Sequence, residues 1–321
     1  MTSTLLFTFY DLSDNTYTLQ HPIEFEIVKS YDSPAQSFEG IFPCDADYPE
    51  FYRMQVSLNG NILFKGRLDE QTETHNDQGR RLTIMARSLG ALLLDNEALP
   101  QTYTNVYLSD LFDEHIRPYG FTSLTAPQDV FFNQYQVVKG MSVWEVFYNF
   151  FRSSALGLAY VDDDDNIICQ FGPPMGETYT FSNLSDTAMH YSSLKVTRNR
   201  YSDISKYVIR NSEGVYDSSY ISPNTVSWKL NRTRYLIPSP EFSLFENAPR
   251  QEAILRIRRA HMGRFVVTLT YPGIFTAKVG DRINLNTGLH EYTGLFAHQV
   301  RMRMSAAGMT TTYTLLDPTY V

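Results

Sequence analysis

Few groups of residues in this chain combine the types and spacing that chemistry requires. The most suggestive is the run Asp162-Asp163-Asp164-Asp165-Asn166, in which Asp162, Asp164 and Asn166 alternate as the first ligands of an EF-hand loop do. That loop also needs Gly at its sixth position and Glu at its twelfth, and here those are Ile167 and Pro173. The tract therefore reads as a solvated turn. His290-Glu291 begins like a zinc-protease motif but continues Tyr-Thr-Gly, and no GxSxG, phosphate loop or dinucleotide fingerprint is present. The 7 histidines are scattered, with no pair at ligand spacing. Cys44 and Cys169 are too few for a disulfide framework or a structural zinc site, and read as plain thiols in a reducing compartment. Trp144 falls on the inward side of an expected helix, which suits a core better than a sugar platform. No catalytic residue, cofactor or metal is expected. The clearest cluster of one kind is basic: Arg250, Arg256, Arg258, Arg259 and Arg264. No recognised nucleic-acid fold accompanies it, so it reads as a contact for an acidic protein partner rather than for DNA.

These residues sit on a chain of 321 residues, 43% hydrophobic and 19% charged, which is globular and long enough for two or three domains. Aromatics reach 14%, nearly all Tyr and Phe, and flat rings with polar tips favour pleated, half-buried surfaces. No apolar run approaches the ~20 residues of a bilayer-spanning helix. The opening MTSTLLFTFYDLSDN has no basic residue before its short apolar stretch, so no ordinary secretory signal is expected. The net charge of −8 is unevenly spread. Residues 1–90 carry 7 basic and 13 acidic side chains, residues 91–190 carry 3 and 13, and residues 191–321 carry 17 and 9. Such asymmetry suits a nucleic-acid surface at the C-terminal end, complementary contact between segments or subunits, or faces that are merely solvated.

Strand signals dominate both ends. Met54 to Arg67 alternates Val56, Leu58, Ile62 and Phe64 around Asn59-Gly60, a pair that tolerates the positive φ of a hairpin turn. A second turn is expected at Asn76-Asp77-Gln78-Gly79, and a short helix over 88–94 closes the meander. Between the ends, Val106, Leu108, Leu111, Phe112 and Ile116 recur at helical spacing, stopped by Pro118 and Gly120. A second helix starts at Ser142 with Glu145 completing a capping box, burying Val143, Val146, Phe147, Phe150 and Phe151. Leu158–Val161 and Ile167–Phe171 flank the acidic tract as a hairpin. Further strands are expected at 195–197, 205–210, 225–228, 265–271, 282–285, 295–305 and 309–316. A helix over 249–261 should bury Ala253, Ile254, Ile257 and Ala260.

Two stretches resemble one another. GRLDEQTETHNDQG followed by RRLTIMARS, and GLFAHQVRMRMSAAG followed by MTTTYTLLD, each read as glycine, long strand, glycine turn and return strand. The expected fold class is mainly β with an α+β insertion: two similar small β-barrel domains, 1–100 and 191–321 (the latter with one helix), flanking a mixed middle domain at 101–190.

Three segments, in this order, resemble the baseplate or tail hub proteins of bacteriophages and related contractile injection machines, including Mu-type hubs and the late control D family. They are GRLDEQ with its turn leading into RLTIMARSLGALLLDNEALP, then KGMSVWEVFYNFFRSSALGLAYVDDDDNIICQFGPP, then RFVVTLTYPGI with KVGDRINLN and a final hairpin into LLDP. The resemblance implies a structural protein, not an enzyme. It implies a homotrimer whose two barrels per chain form a ring of six-fold character, joining a hexameric tail tube or distal tail protein to a three-fold central spike. It also implies assembly in the bacterial host cytoplasm into a virion tail or tail-like particle, with transient passage of DNA. A net-acidic channel would repel phosphates, and raised DNA affinity at low salt would count against that role. A carbohydrate-binding or peptidoglycan-acting tail module is the alternative that the aromatic content favours, and a β-rich scaffold unrelated to phages is a third.

Overall fold

The computed structural model describes residues 4–77, 79–155, 157–173, 175–225, 228–239, 248–276 and 278–320. The first seven strands are β1 (Leu5–Asp11), β2 (Thr16–Leu19), β3 (Glu24–Ser30), β4 (Ser37–Pro43), β5 (Phe51–Leu58), β6 (Asn61–Asn76) and β7 (Gly79–Arg87). Alternation places one face of each inward, as in β1, where Phe7 and Phe9 are fully buried. Asn59 and Gly60 turn β5 into β6 at φ 51° and 85°, the left-handed pair that the hairpin demands. Gly79 closes the β6–β7 turn at φ 102°; Gln78, within that expected turn, lies outside the described residues.

The middle of the chain holds α1 (Ala91–Asp95), β8 (Gln101–Tyr107), α2 (Leu108–Leu111), β9 (Leu124–Thr125), β10 (Phe131–Val137), α3 (Val143–Ala155), β11 (Leu158–Val161) and β12 (Ile167–Gln170). The first helical pattern is shorter than its periodicity suggests. Val106 belongs to β8, and the helix begins at Leu108, widens into a π turn over Phe112–Ile116 and tightens over Arg117–Tyr119. Gly120 ends it at φ 101°. The capping box of α3 forms as the residue types require: Ser142 N–H donates to Glu145 Oε2 at 2.8 Å, and Glu145 N–H donates to Ser142 Oγ at 3.1 Å. Val143, Val146, Phe147, Phe150 and Phe151 are all buried, in a cluster with Leu108, Leu111, Tyr135 and Ile167.

The remaining elements are β13 (Thr178–Ser182), β14 (Ser193–Arg198), β15 (Lys206–Arg210), β16 (Tyr216–Ile221), β17 (Thr233–Leu236), α4 (Ala248–Met262), β18 (Phe265–Pro272), β19 (Arg282–Asn286), β20 (Glu291–Ser305) and β21 (Gly308–Leu316). Two expectations need correction. The strand expected at 225–228 does not begin at Thr225, which ends a 3₁₀ turn from Pro223; Val226 and Ser227 lie outside the described residues. Helix α4 buries Ala248, Glu252, Ala253, Leu255, Ile257 and His261, while Ile254 and Ala260 are only half-buried. The inward face includes Glu252 because Ser239 and Arg256 satisfy its carboxylate at 2.7–2.9 Å.

The chain is mainly β with an α insertion. Strands of both ends join one 13-stranded sheet, ordered β14-β18-β21-β20-β3-β4-β7-β6-β5-β1-β2, with β19 bridging β20 and β13. Its core is one hydrophobic cluster drawn from both ends, including Phe7, Phe9, Phe38, Phe42 and Phe64 with Phe181, Leu269, Ile283, Val300 and Tyr313. Smaller sheets pair β8 with β10, β9 with β12 and β11, and β15 with β16 and β17.

Candidate assembly interface

Backbone pairing reveals a repeat more exact than the letters suggest. In the first half β4 pairs with β7, β7 with β6 and β6 with β5; in the second β18 pairs with β21, β21 with β20 and β20 with β19. One constant offset relates residues 37–87 to 266–316. Ser37↔Arg87 corresponds to Val266↔Leu316, Met54↔Gly66 to Ile283↔Leu295, and Asn76↔Gly79 to Ser305↔Gly308. The register slips at matching places, between Leu68 and Glu70 in β6 and between Ala297 and Gln299 in β20. Inward residues match too: Leu82, Ile84 and Ala86 are buried like Thr311, Tyr313 and Leu315. The pairing corrects the sequence alignment by one position. The turn glycines Gly79 and Gly308 are equivalent, but Gly66 corresponds to Leu295 rather than to Gly294. The two unmatched glycines serve different needs: a Cβ on Gly66 would lie 2.5 Å from the Arg87 carbonyl oxygen, whereas Gly294 adopts φ 64°.

Outer strands extend the repeat. β3 pairs with β4 as β14 pairs with β18, and β1 neighbours β5 as β13 neighbours β19. The halves differ in the last pairing, antiparallel for β1 and parallel for β13. They differ also in what lies between the third-position strands and their partners: a short loop after β3, but residues 199–264, with β15–β17 and α4, after β14.

The halves meet where the second part of β20 pairs antiparallel with β3, from Gln299↔Ser30 to Met304↔Phe25. Phe25, Ile27, Val300 and Met302 are buried beneath this seam. On its outer face Arg301 reaches Glu26 at 3.3 Å, Arg303 reaches Glu24 at 4.0 Å, and His298 reaches Asp32 at 3.0 Å. The nearby His298 side chain, with a smaller contribution from Arg259, holds the Asp32 carboxyl below its ordinary range. The equivalent of this seam on the other side of each half is open. Among the described residues, β6 beyond Arg67 pairs only with β7, and β14 pairs only with β18. Both edges carry ready backbone donors and acceptors. Sequence reasoning missed them, although one signal was present: β6 loses its apolar alternation after Leu68 and continues Asp-Glu-Gln-Thr-Glu-Thr-His-Asn, exposed almost throughout.

The predicted contact arginines do not form one patch. Arg256 pairs with Glu252 at 2.7 Å. Arg264 pairs with the fully buried Asp203 and stacks 3.9 Å from the Trp228 ring centroid. Arg250 lies 5.6 Å over the Tyr220 ring. Arg258 and Arg259 remain exposed and line a cavity of about 130 Å³ with Asp32, Trp144, Tyr148 and Arg152. Trp144 is only 7% exposed and stacks on Tyr148, consistent with its expected core position.

The acidic tract is a turn, but not merely a solvated one. Asp162 Oδ1 accepts hydrogen bonds from the backbone of Asp164 and Asn166 at 2.9 and 2.8 Å. Asp163 pairs with the buried Lys29 at 2.8 Å and Asp165 with Lys65 at 2.7 Å, which pins the middle region to the first half. Burial raises the Asp165 carboxyl, and Lys65 opposes that rise. Among the described residues no cluster of His, Cys, Asp and Glu is arranged to hold a metal ion. Cys44 and Cys169 are buried free thiols, and burial pushes Cys169 up to about 12, so neither is poised as a nucleophile.

No protein-family model matches the chain, and no curated protein matches it. Solved structures do. The tail protein from Neisseria meningitidis MC58 superposes with a TM-score of 0.78 at 15% identity, covering 99% of this chain and 97% of the other. The 43 kDa tail protein of prophage MuSo2 from Shewanella oneidensis gives 0.78 at 13%, covering 99% of each. A component of the E. coli type VI secretion system, described as similar to T4 bacteriophage tail proteins gp27 and gp5, gives 0.59 at 9%, covering 92% and 73%. At these identities the likeness is one of fold, and it spans both repeats and everything between them: the chain has the fold of phage tail proteins, shared with a secretion-system component.

Proposed function

We propose that the chain is a structural hub of a phage or phage-like tail. Three copies close into a ring of six sheet repeats that joins a six-fold tail tube to a three-fold central spike. The observation that carries this reading is the duplicated strand order, with one seam already formed inside the chain and its counterpart left open at both ends. A head-to-tail contact repeated around an axis gives a closed ring when the rotation per step divides a full turn. Two repeats per chain let three chains offer six similar faces to a tube while keeping the symmetry of a spike. In this reading residues 1–100 and 191–321, the latter joined by β13 from the middle segment, form the ring as two barrel-like units, and the rest of 101–190, held by the Lys29–Asp163 and Lys65–Asp165 pairs, stands beside it. Arg258 and Arg259, exposed and without an ion pair within 4.0 Å among the described residues, face an acidic partner such as the tube or spike. The fold shared with tail proteins supports placement in a tail particle. Light scattering on the purified chain should give a mass near three times 36.9 kDa. A mass of one or two chains at all concentrations would reject the ring.

A further inference from the structure

The internal seam is a template for the contact between copies, and its charges show which edges meet. We propose that the edge of β6 in one copy pairs antiparallel with the edge of β14 in the next, in the register of the β20–β3 seam. We propose further that the charge signs of the two junctions are reversed, so that only an alternating order of repeats closes. This inference rests on the ring reading above.

The register follows from equivalence. Gln299, Arg301 and Met304 of β20 correspond to Glu70, Thr72 and His75 of β6, because the turns and the slips of register coincide. Phe25↔Gly40 in the first half corresponds to Leu194↔Leu269 in the second, so Phe25, Val28 and Ser30 correspond to Leu194, Thr197 and Asn199. Carrying Gln299↔Ser30, Arg301↔Val28 and Met304↔Phe25 across places Glu70 opposite Asn199, Thr72 opposite Thr197 and His75 opposite Leu194. Leu194 and Val196, half-buried here, then gain the strand cover that Phe25 and Ile27 receive at the seam.

In the internal seam the long strand is basic, with Arg301 and Arg303, and its partner is acidic on the facing surface, with Glu24 and Glu26. Lys29 of that partner is already neutralised by Asp163. In the open edges the strand signs are exchanged, with Glu73 and Arg198 lying on the face of Met302 and Lys29, their equivalents in the seam. β6 carries Asp69, Glu70 and Glu73, while β14 carries Lys195 and Arg198. The transferred register sets Glu73 diagonal to Arg198, and the seam's own ion pair is diagonal too: Arg301 lies opposite Val28 but bonds Glu26. Glu73 keeps a 3.5 Å contact with Arg80 of its own copy, which leaves room for a second cation. Swapping partners would set Arg303 opposite Lys195 and deprive Arg301 and Arg303 of the carboxylates they meet in the seam. Like charges facing across an edge reject such closures.

Paired cysteines test the register. In the full chain, Thr72→Cys with Thr197→Cys should give covalent two- and three-chain species on oxidation, seen on a denaturing gel. Thr72→Cys with Val196→Cys, which points to the other face, should give far less. A trimer by light scattering that cross-links no better at the first pair than at the second would overturn the register and leave the ring intact. A chain that is monomeric and never cross-links would overturn the ring itself. For the charge order, Glu73→Lys should raise the concentration of half-dissociation about tenfold or more. Adding Arg198→Glu should restore it, and no recovery would overturn the exchanged-sign rule.

Discussion

Arg264 shows how one side chain can be read two ways. In sequence it belongs to a basic cluster open to partners; in the fold it neutralises Asp203, which has no exposed surface, and stacks on Trp228. Removing one member of a buried ion pair leaves the other charged and desolvated. Arg264→Gln should therefore lower stability by about 3–5 kcal/mol in chemical denaturation, the range for broken buried pairs. A loss below about 1 kcal/mol would mean that water reaches Asp203 and that Arg264 is a surface residue after all. Arg258 and Arg259 differ in that they stay exposed with no ion pair within 4.0 Å among the described residues, although Arg259 lies near enough to Asp32 to help hold its carboxyl low.

At the scale of elements, α4 is docked onto its small sheet by His261, which is 2% exposed, 2.9 Å from the Ile204 carbonyl oxygen and edge-on to Trp228. Burial lowers the His261 pKa from 6.5, so folding favours the neutral ring. Its contribution is complete above the unfolded value and is lost as pH falls through 6.5 toward the folded value. His115, also lowered by burial, acts in the same direction. The melting temperature should fall as pH drops from about 7 to about 5, and fall less steeply in His261→Gln. Equal slopes would remove His261 from the docking account. The same scale explains what was legible beforehand. The capping box of α3, the Asn59-Gly60 hairpin and the final two strands follow from local residue types, and local chemistry decides them. Val106 and Thr225 were misplaced because neighbouring strands and turns override a short apolar period. Glu252 and His261 were missed as inward residues because their burial depends on partners far away or outside the helix pattern: Ser239 and Ile204.

At the scale of the molecule, the repeat was visible as two glycine-turn hairpins, but its true register and extent were not. Identities between the halves are few, since each position answers to a different neighbour: Gln71 and Glu73 face an open edge where Val300 and Met302 lie under β3. Only pairing partners reveal that 37–87 and 266–316 are one design used twice. The open edges were illegible for the same reason, because an edge is defined by a strand that is missing beside it. Electron microscopy of the purified chain tests the central claim most directly. Class averages should show a ring with a central hole and six lobes, alternating slightly between two kinds so that the strict symmetry is three-fold. Compact single-chain particles, or open chains of lobes that never close, would contradict it.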